Sequence, residues 1–318
     1  MSLTHAGPGR KWRDMRIPRF VFSLVLAGCA PAALADVLAT YNVRYANNGD
    51  VKNGNGWERR LPVIASLIRF HAFDLFGTQE GLDHQMKALH ELLPEHGLIT
   101  YGRDDGEAKG EHLGIFYRKD KYQVLSQGRF WLSPTPDTPG KGWDASLPRL
   151  CTWAGFKDTA SGRELFFFNI HFDHRGVEAR KESAKLLLEK VAAIAGNVPA
   201  VLVGDFNSAQ DSEPYRILEE SPLLADAFNL SPIRLATTGT ANKFDPTAFS
   251  ASRIDHLFVP EKATVRRFGI LTDSYRVTDA MTEGRADGNF PKEVQFTESQ
   301  ARLPSDHFPV VIEIEWPK

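Results

Sequence analysis

The sequence predicts a mixed α/β protein with β-sheets at its centre and helices outside them. Short apolar runs such as Ala200–Val203 have the length and composition of buried strands. Other segments, such as Trp57–His71, repeat apolar residues at the spacing of a helix. The chain has 318 residues, of which 42% are hydrophobic, with 25 Gly and 19 Pro, an ordinary globular composition without repeats or long linkers. We therefore expect a single domain over residues 36–318.

The amino terminus has the three-part pattern of a secretory signal peptide. Five basic residues between positions 10 and 19 precede an apolar run, Phe20–Ala27, that is too short to span a membrane. Small residues at Ala33 and Ala35 suit cleavage before Asp36, so residues 1–35 are predicted to be removed during export to the periplasm or medium. The run Leu26–Cys29 also resembles a bacterial lipobox, and lipid anchoring at Cys29 is the alternative.

Charge and cysteine content narrow the possible functions. Removal of residues 1–35 takes away five basic residues and one acid, which changes the formal net charge from −2 to about −6. This is not the basic surface expected of a protein that holds long nucleic acid, although a local basic patch stays possible. Cys151 is then the only cysteine, so neither an internal disulfide nor a cysteine-based zinc site is expected.

The first half of the chain alternates strands with helices. Asp36–Asn42 and Phe73–Gly77 are predicted strands, and Trp57–His71 and Leu82–Leu93 are predicted helices, the second ended by Pro94. Between the first strand and helix, Asn47–Gly56 is a predicted polar loop.

The middle of the chain predicts strand pairs and one long loop. Leu113–Tyr117 is a predicted strand with Tyr122–Leu132 as its hairpin partner, and Leu150–Phe156 is expected to pair with Glu164–His171. Between the pairs, Ser133–Pro148 predicts a loop, and loops of this length in compact domains are often functional.

From residue 178 onwards, the chain has one predicted helix and several predicted strands. Glu178–Ala195 is a predicted helix that leads into the Ala200–Val203 strand. Ile254–Val259 predicts a strand with Lys262–Leu271 as its partner, and Phe308–Glu315 predicts the final strand.

Polar clusters follow or precede these strands, and ligands of α/β proteins commonly bind at such strand ends. The clusters are Asn42; Gln79 and Glu80; Asn169, His171 and Asp173; Asp205 and Asn207; Asp255; and Asp306 and His307. Carboxylates and amides without cysteine favour a hard divalent ion such as Mg²⁺ or Mn²⁺. Histidines add proton transfer near neutral pH.

Each residue has an ordinary structural alternative when it is taken alone. Gly-Asp-Phe-Asn at 204–207 is also a typical turn, and Asn42 is a turn former. Glu80 also suits the first turn of a helix, and an isolated His307 would be a buried core histidine. The recurrence of such clusters at strand ends favours a shared site.

The motifs, in order along the chain, resemble the endonuclease/exonuclease/phosphatase superfamily. They are Tyr-Asn-Val-Arg (41–44), Gln-Glu (79–80), Asn-Ile-His-Phe-Asp-His (169–174), Gly-Asp-Phe-Asn (204–207), Arg-Ile-Asp-His (253–256) and Ser-Asp-His (305–307). Phe-Trp-Leu-Ser (130–133) is similar to the bacterial, deadenylase-like branch. The resemblance implies a deoxyribonuclease-I-like, four-layer α/β sandwich of two mixed sheets packed face to face, with the site at one edge.

The resemblance also implies roles for individual residues. Asn42, Glu80 and Asp306 would bind the metal. Asp205 and Asn207 would orient the attacking water and the phosphate, while His307, paired with Asp255, would act as general base or polarise the phosphate. His171 would contact the phosphate or assist the leaving group, with Glu111 as its carboxylate partner. Asp205 and His307 both stay open as the general base.

Four further residues are candidates for substrate binding: Arg103, Arg149, Asn169 and Trp131. The arginines suit a phosphate. Trp131 suits either a stacking surface beside the cleft or a core anchor.

Together these observations predict an exported, monomeric, Mg²⁺-dependent phosphoester hydrolase without a stable protein partner. A phosphodiesterase or nuclease is the first expectation. A phosphatase or diesterase acting on a small or lipid-linked phosphate is the alternative, and a non-catalytic binding protein with the same fold is the third.

Overall fold

The computed structural model describes residues 35–278, 291, 293–294 and 296–316. The predicted signal peptide and the lipobox lie outside these described residues, so both stay predictions. In the described residues, the strands in chain order are β1 (Asp36–Asn42), β2 (Leu75–Gln79), β3 (His96–Gly102), β4 (His112–Arg118), β5 (Tyr122–Trp131), β6 (Leu150–Asp158), β7 (Glu164–His171), β8 (Ala200–Asp205), β9 (Ala225–Asp226), β10 (Arg234–Leu235), β11 (Asp255–Val259), β12 (Thr264–Ile270), β13 (Tyr275–Val277), β14 (Gln300–Arg302) and β15 (Val310–Glu315). The helices are α1 (Asn48–Lys52), α2 (Trp57–Phe70), α3 (Asp83–Leu92), α4 (Val177–Ala195), α5 (Glu213–Glu219) and α6 (Ala227–Leu230).

Two large mixed sheets form the centre of the fold. The first sheet has the strand order β10-β12-β15-β1-β2-β4-β3, and the second has the order β5-β6-β7-β8-β11-β9. Within them, β1 runs parallel to β2, and β7 runs parallel to β8. The strands β13 and β14 pair antiparallel as a separate two-stranded sheet.

Apolar side chains fill three interfaces, one between the two sheets and one between each sheet and its helices. The sheets pack face to face through a cluster that includes Leu38, Val203 and Ile312. Helices α2 and α3 cover the outer face of the first sheet, where Ile64 packs, and α4 and α5 cover the second, where Leu187 packs. Each sheet can take part in an inner and an outer interface because neighbouring residues of a strand point to opposite faces. The predicted four-layer α/β sandwich is confirmed.

Two predicted strand pairings are wrong. Tyr122–Leu132 does not pair with Leu113–Tyr117, because β4 has β2 and β3 on its two edges and β5 joins β6 in the other sheet. Likewise Lys262–Leu271 does not pair with Ile254–Val259, since β11 lies between β8 and β9, and β12 joins the first sheet. Short connections therefore cross between the sheets here instead of closing hairpins.

Most other predicted elements are confirmed with small shifts of their ends. The predicted pairing of Leu150–Phe156 with Glu164–His171 is confirmed, and Ser133–Pro148 contains neither helix nor strand. The sequence did not predict β3, α5, β9, α6, β10, β13 or β14, and its pattern assigned α1 to a polar loop. None of the described helices is long and apolar enough to cross a membrane.

Candidate active site

The carboxyl ends of the two central parallel strand pairs meet at one edge of the sandwich. Asn42 ends β1 beside Gln79 of β2, and His171 ends β7 beside Asp205 of β8. The antiparallel neighbours begin at the same edge, so Asp255 opens β11 directly opposite Asp205. Strand direction thus brings residues from distant parts of the chain to one place.

Strand periodicity turns these side chains inward, towards the space between the sheets. Residues two apart point to the same face, so Asn42 shares the inner face with Leu38, and Asp205 shares it with Val203. The two polar residues lie where the apolar rows end. The Asn42 Nδ2 group donates a hydrogen bond of 3.0 Å to Asp205 Oδ2 across the two sheets.

Glu80 and Arg44 reach the site through unusual backbone conformations. Both lie in the left-handed region, with φ of 68° at Glu80 and 58° at Arg44. This region is uncommon outside glycine, and such residues concentrate at functional sites. Asn42 Nδ2 donates to Glu80 Oε1 at 2.9 Å. The Arg44 Nη1 atom lies 3.4 Å from Asp306 Oδ2 and 3.9 Å from Glu80 Oε2.

Asp205 lies between two histidines. Its Oδ2 atom is 3.5 Å from His171 Nε2 and 3.9 Å from His307 Nε2. On the far side of its ring, His307 Nδ1 donates a 2.9 Å hydrogen bond to Asp255 Oδ2, which fixes the ring orientation. The predicted pair of His307 with Asp255 is therefore present.

The two histidines have opposite tendencies to bind a proton. Burial lowers the pKa of His307, but the carboxylates of Asp255 and Asp205 outweigh it and raise that pKa well above the ordinary value. Burial, with the charges of Arg149 and Arg103, lowers the pKa of His171 well below its ordinary value. Burial and the neighbouring Asp255 raise the pKa of Asp205 to about 7. Opposed tendencies of this kind are a property of acid–base sites.

Two arginines form the other side of the site. Arg103 is paired through Nη1 with Glu111, and Arg149 Nε lies 3.4 Å from Asp173 Oδ2. The Arg149 Nη2 atom is 3.1 Å from His174 Nδ1, while its buried Nη1 has no hydrogen-bond partner among the described residues. Arg149 therefore keeps one donor available for a ligand anion.

A cleft of about 370 Å³ lies at this edge, and the fully buried Asn42 and Asp255 lie behind its lining. It is lined by Arg44, Tyr45, Glu80, Arg103, Glu111, Leu147, Arg149, His171, His174, Asp205, Asn207, Asp306 and His307. A larger, mainly apolar groove of about 660 Å³ lies on the outer face of the first sheet, and none of the predicted site residues lines it. The predicted site residues therefore gather at the smaller cleft and not at the groove.

Two predicted substrate contacts do not line this cleft. Asn169 lies one inward-facing position deeper than His171, where its side chain bonds Gln79 and the carbonyls of Thr78 and Gly114, joining the two sheets. Trp131 is also buried, and its indole N–H donates to the Arg103 carbonyl at 2.8 Å. Both residues support the site from behind, because their polar atoms are already bonded within the protein.

One predicted contact also needs correction. Glu111 lines the cleft, but its carboxylate pairs with Arg103, and the buried Nδ1 of His171 has no partner among the described residues. Asn207 lies in the turn that the sequence offered as an alternative, with φ of 45° and with its N–H donating to the Asp205 side chain. Asn207 still lines the cleft, so a turn and a site coincide here.

The sequence did not predict four of the lining residues: Arg44, Tyr45, Leu147 and His174. Arg44 and His174 stand inside the quoted motifs at 41–44 and 169–174, which was the available indication. Tyr45 carries no such indication, and only the turn at Arg44 brings it to the cleft.

The acidic side of the cleft suits a hard divalent ion. Ligand atoms of Glu80, His171 and Asp205 lie within 4.8 Å of one another, as do those of Asp205, Asp255 and His307. Asp306, a predicted ligand, belongs to neither group. Positive or donor groups of Asn42 and Arg44 already lie between these carboxylates. Oxygen-rich ligands without sulfur are the set that Mg²⁺ or Mn²⁺ prefers.

A sequence profile of the Endonuclease/Exonuclease/phosphatase family matches residues 39–307, which includes every predicted site residue. The chain belongs to this family. Members of the family hydrolyse phosphoester bonds with the help of divalent metal ions. The family predicted from the motifs is thus confirmed.

Solved structures of the family share this fold. A mannosyl-6-phosphatase from Bacteroides thetaiotaomicron is 46% identical, covers 88% of this chain and all of its own, and superimposes with a TM-score of 0.81. A family protein from Bacteroides vulgatus is 34% identical, with coverage of 89% and 99% and a TM-score of 0.75. The human Nocturnin catalytic domain with bound sulfate, at 17% identity, coverage of 89% and 93% and a TM-score of 0.63, shares the fold alone.

Proposed function

We propose that this protein is a Mg²⁺-dependent phosphomonoesterase that acts on a small phosphorylated carbohydrate. One observation carries the proposal, the 46% identity to a mannosyl-6-phosphatase over that protein's whole length. Identity at this level over a whole domain supports a shared reaction type, whereas fold alone does not.

The separation of positive and negative side chains in the cleft supports a terminal phosphate as the bound group. Arg103 and Arg149 offer positive charge on one side, and Glu80 and Asp205 offer carboxylates for a metal on the other. A phosphate held between the two sides would contact the arginines and the metal ion, and its negative charge would be balanced. The volume of about 370 Å³ suits a phosphate with a sugar-sized leaving group.

The residues of the chain have distinct parts in the proposed reaction. A bound Mg²⁺ would neutralise charge on a phosphate oxygen. Asp205 and Asn207 orient the attacking water, and Asp255 holds the His307 ring in place beside Asp205. Because the pKa of His171 is lowered, we assign it a neutral role, contacting the phosphate or the leaving oxygen.

A phosphodiesterase or nuclease is the second candidate, and it was the first expectation from sequence. The residue types of the site serve both reactions, because metal-assisted attack on phosphorus is common to them. We place it second because the predicted mature chain has a net charge of about −6, which disfavours a long polyanion.

The proposal is tested by hydrolysis assays on the purified protein with Mg²⁺ and, in parallel, with EDTA. Substrates are mannose 6-phosphate, a mannose-6-phosphate-capped oligosaccharide, bis(p-nitrophenyl) phosphate, and single-stranded RNA and DNA. We expect metal-dependent phosphate release from the sugar esters with the highest kcat/KM.

Other outcomes separate the alternatives. Metal-dependent cutting of RNA or DNA with no release from the sugar esters would replace the phosphatase by a nuclease. Binding of phosphate without turnover of any ester would favour the non-catalytic alternative. Turnover that is equal in EDTA would contradict the metal requirement.

A further inference from the structure

Arg60 is a buried cation behind the acidic side of the cleft. Its side chain is fully buried on α2, and it forms no ion pair with any carboxylate of the described residues. Its N–H groups instead donate to four backbone carbonyl oxygens: those of Asn55 at 2.8 Å, Val43 at 2.7 Å, Pro304 at 3.0 Å and Arg44 at 3.1 Å. Burial of a guanidinium without a paired carboxylate costs free energy. The presence of Arg60 at this position therefore calls for a structural reason.

The four carbonyls belong mainly to the two loops that carry predicted metal ligands. Val43 and Arg44 directly follow Asn42, and Pro304 lies two residues before Asp306. One guanidinium therefore ties the loop after β1 to the loop before β15. These loops are far apart in sequence, and the planar fork of arginine can bond both at once.

The aromatic rings around Arg60 hold this guanidinium in place. Its centre lies 5.3 Å from the Trp57 ring and 5.4 Å from the Phe244 ring. Phe244 comes from the loop whose Asn242 and Lys243 N–H groups bond the Asp306 carbonyl at 2.7 and 3.2 Å. The loop that covers Arg60 thus also fixes the backbone of Asp306.

We propose that Arg60 is a positioning residue for the metal site, which sets the separation of Asn42 and Asp306 and so strengthens divalent-ion binding. The role is indirect, since Arg60 does not line the cleft. It rests on the metal requirement of the proposed function, and not on the identity of the substrate.

The test measures metal binding directly, by calorimetric titration of the purified protein with Mg²⁺ and with Mn²⁺. Arg60→Lys keeps the charge but loses the planar fork. We expect its Kd for the ion to rise about tenfold or more, the usual effect of residues that support metal ligands. The rise in Tm on adding Mg²⁺ should shrink in parallel, while KM at saturating metal should stay within about twofold, since no substrate contact is lost.

A matched arginine separates this role from general stabilisation. Arg163 also stacks on an aromatic ring, that of Trp316, and pairs with Asp36 near the opposite end of β1. Arg163→Met should lower Tm without changing the Kd of the ion. If Arg60→Lys does not fold, Phe244→Leu, at a half-buried position, removes one ring and should weaken ion binding several-fold.

The outcomes are distinct. A Kd within about twofold of wild type in a folded Arg60→Lys protein, or in Phe244→Leu when the former does not fold, would overturn the role of Arg60. Wild-type protein that binds neither ion would instead refute the metal site itself. The wild-type titration and the ratio of variant to wild type therefore test the two proposals separately.

Discussion

At the scale of single residues, the site depends on side chains that leave their strands in non-extended conformations. Glu80 follows β2 with a positive φ, and Asn207 does the same after β8. A strand that continued straight would point Glu80 away from the space between the sheets. The strained turns place these side chains beside Asp205, and the surrounding hydrogen bonds hold them there.

His307→Ala tests the acid–base role of the histidine between Asp255 and Asp205. We expect kcat for ester hydrolysis to fall by about a hundredfold or more, the usual effect of losing a general acid–base group. The control is His71→Ala, because His71 lines the apolar groove on the first sheet and not the cleft. Near-normal turnover of the His307 variant would remove this residue from the mechanism.

Glu80→Gln tests the metal ligand. The amide keeps the shape of the side chain and removes its charge, so activity should need a higher Mg²⁺ concentration. The measurement is activity against Mg²⁺ concentration, with the exposed Glu91→Gln as control. A titration curve that matches wild type would argue against ligation by Glu80.

At the scale of elements, one carboxylate holds the long loop at 133–149 against the start of α4. Asp173 accepts hydrogen bonds from Ser146 Oγ at 3.0 Å and from the N–H groups of Leu147 at 3.2 Å and Gly176 at 2.8 Å. It also lies beside Arg149. The loop has no regular structure of its own, so these bonds place Leu147 and Arg149 at the cleft.

Asp173→Asn should destabilise the fold in a pH-dependent way. Burial opposes ionisation, but the N–H groups of Gly176 and Arg175 hold the pKa of Asp173 well below its ordinary value. A lowered folded-state pKa gives stability that is present above the unfolded pKa of about 3.9 and is lost as pH falls below it. We expect a loss of about 1–3 kcal/mol in the free energy of unfolding at pH 7, since buried hydrogen bonds are weakened.

Urea unfolding of Asp173→Asn and wild type, repeated from pH 7 down to about 3.5, measures this effect. The difference between the proteins should narrow below about pH 4, because the carboxyl of unfolded wild type takes up a proton there while the folded carboxyl stays ionised. Asp137→Asn, exposed on the same loop, should match wild type throughout. A difference that does not change with pH would show that the charge of Asp173 is unimportant.

A short connection between two strands did not by itself determine whether they pair. The β6–β7 hairpin followed from its turn, but β4 and β5 went to different sheets although only three residues separate them. The pattern of apolar residues fixes which face of a strand is buried, but not which neighbour it meets. That choice depends on the packing of both sheets.

At the scale of the whole molecule, the predicted export remains to be tested. A fusion of residues 1–36 to a reporter should be exported, since the segment has the basic, apolar and small-residue order of a signal peptide. Cell fractionation measures this, and Cys29→Ser distinguishes lipid anchoring from simple cleavage. Retention of the fusion in the cytoplasm would refute the signal peptide.

By itself, the sequence determined the fold class and the family, and it indicated most residues of the candidate site. Strand and helix periods are local, and motifs such as Gly-Asp-Phe-Asn and Ser-Asp-His keep their order along the chain. Only the tertiary structure decided which polar residues reach the cleft. Asn169 and His171 differ by one inward-facing step, yet the first joins the sheets and the second lines the site. Depth between two packed sheets is a property of the assembled layers, and no local pattern records it.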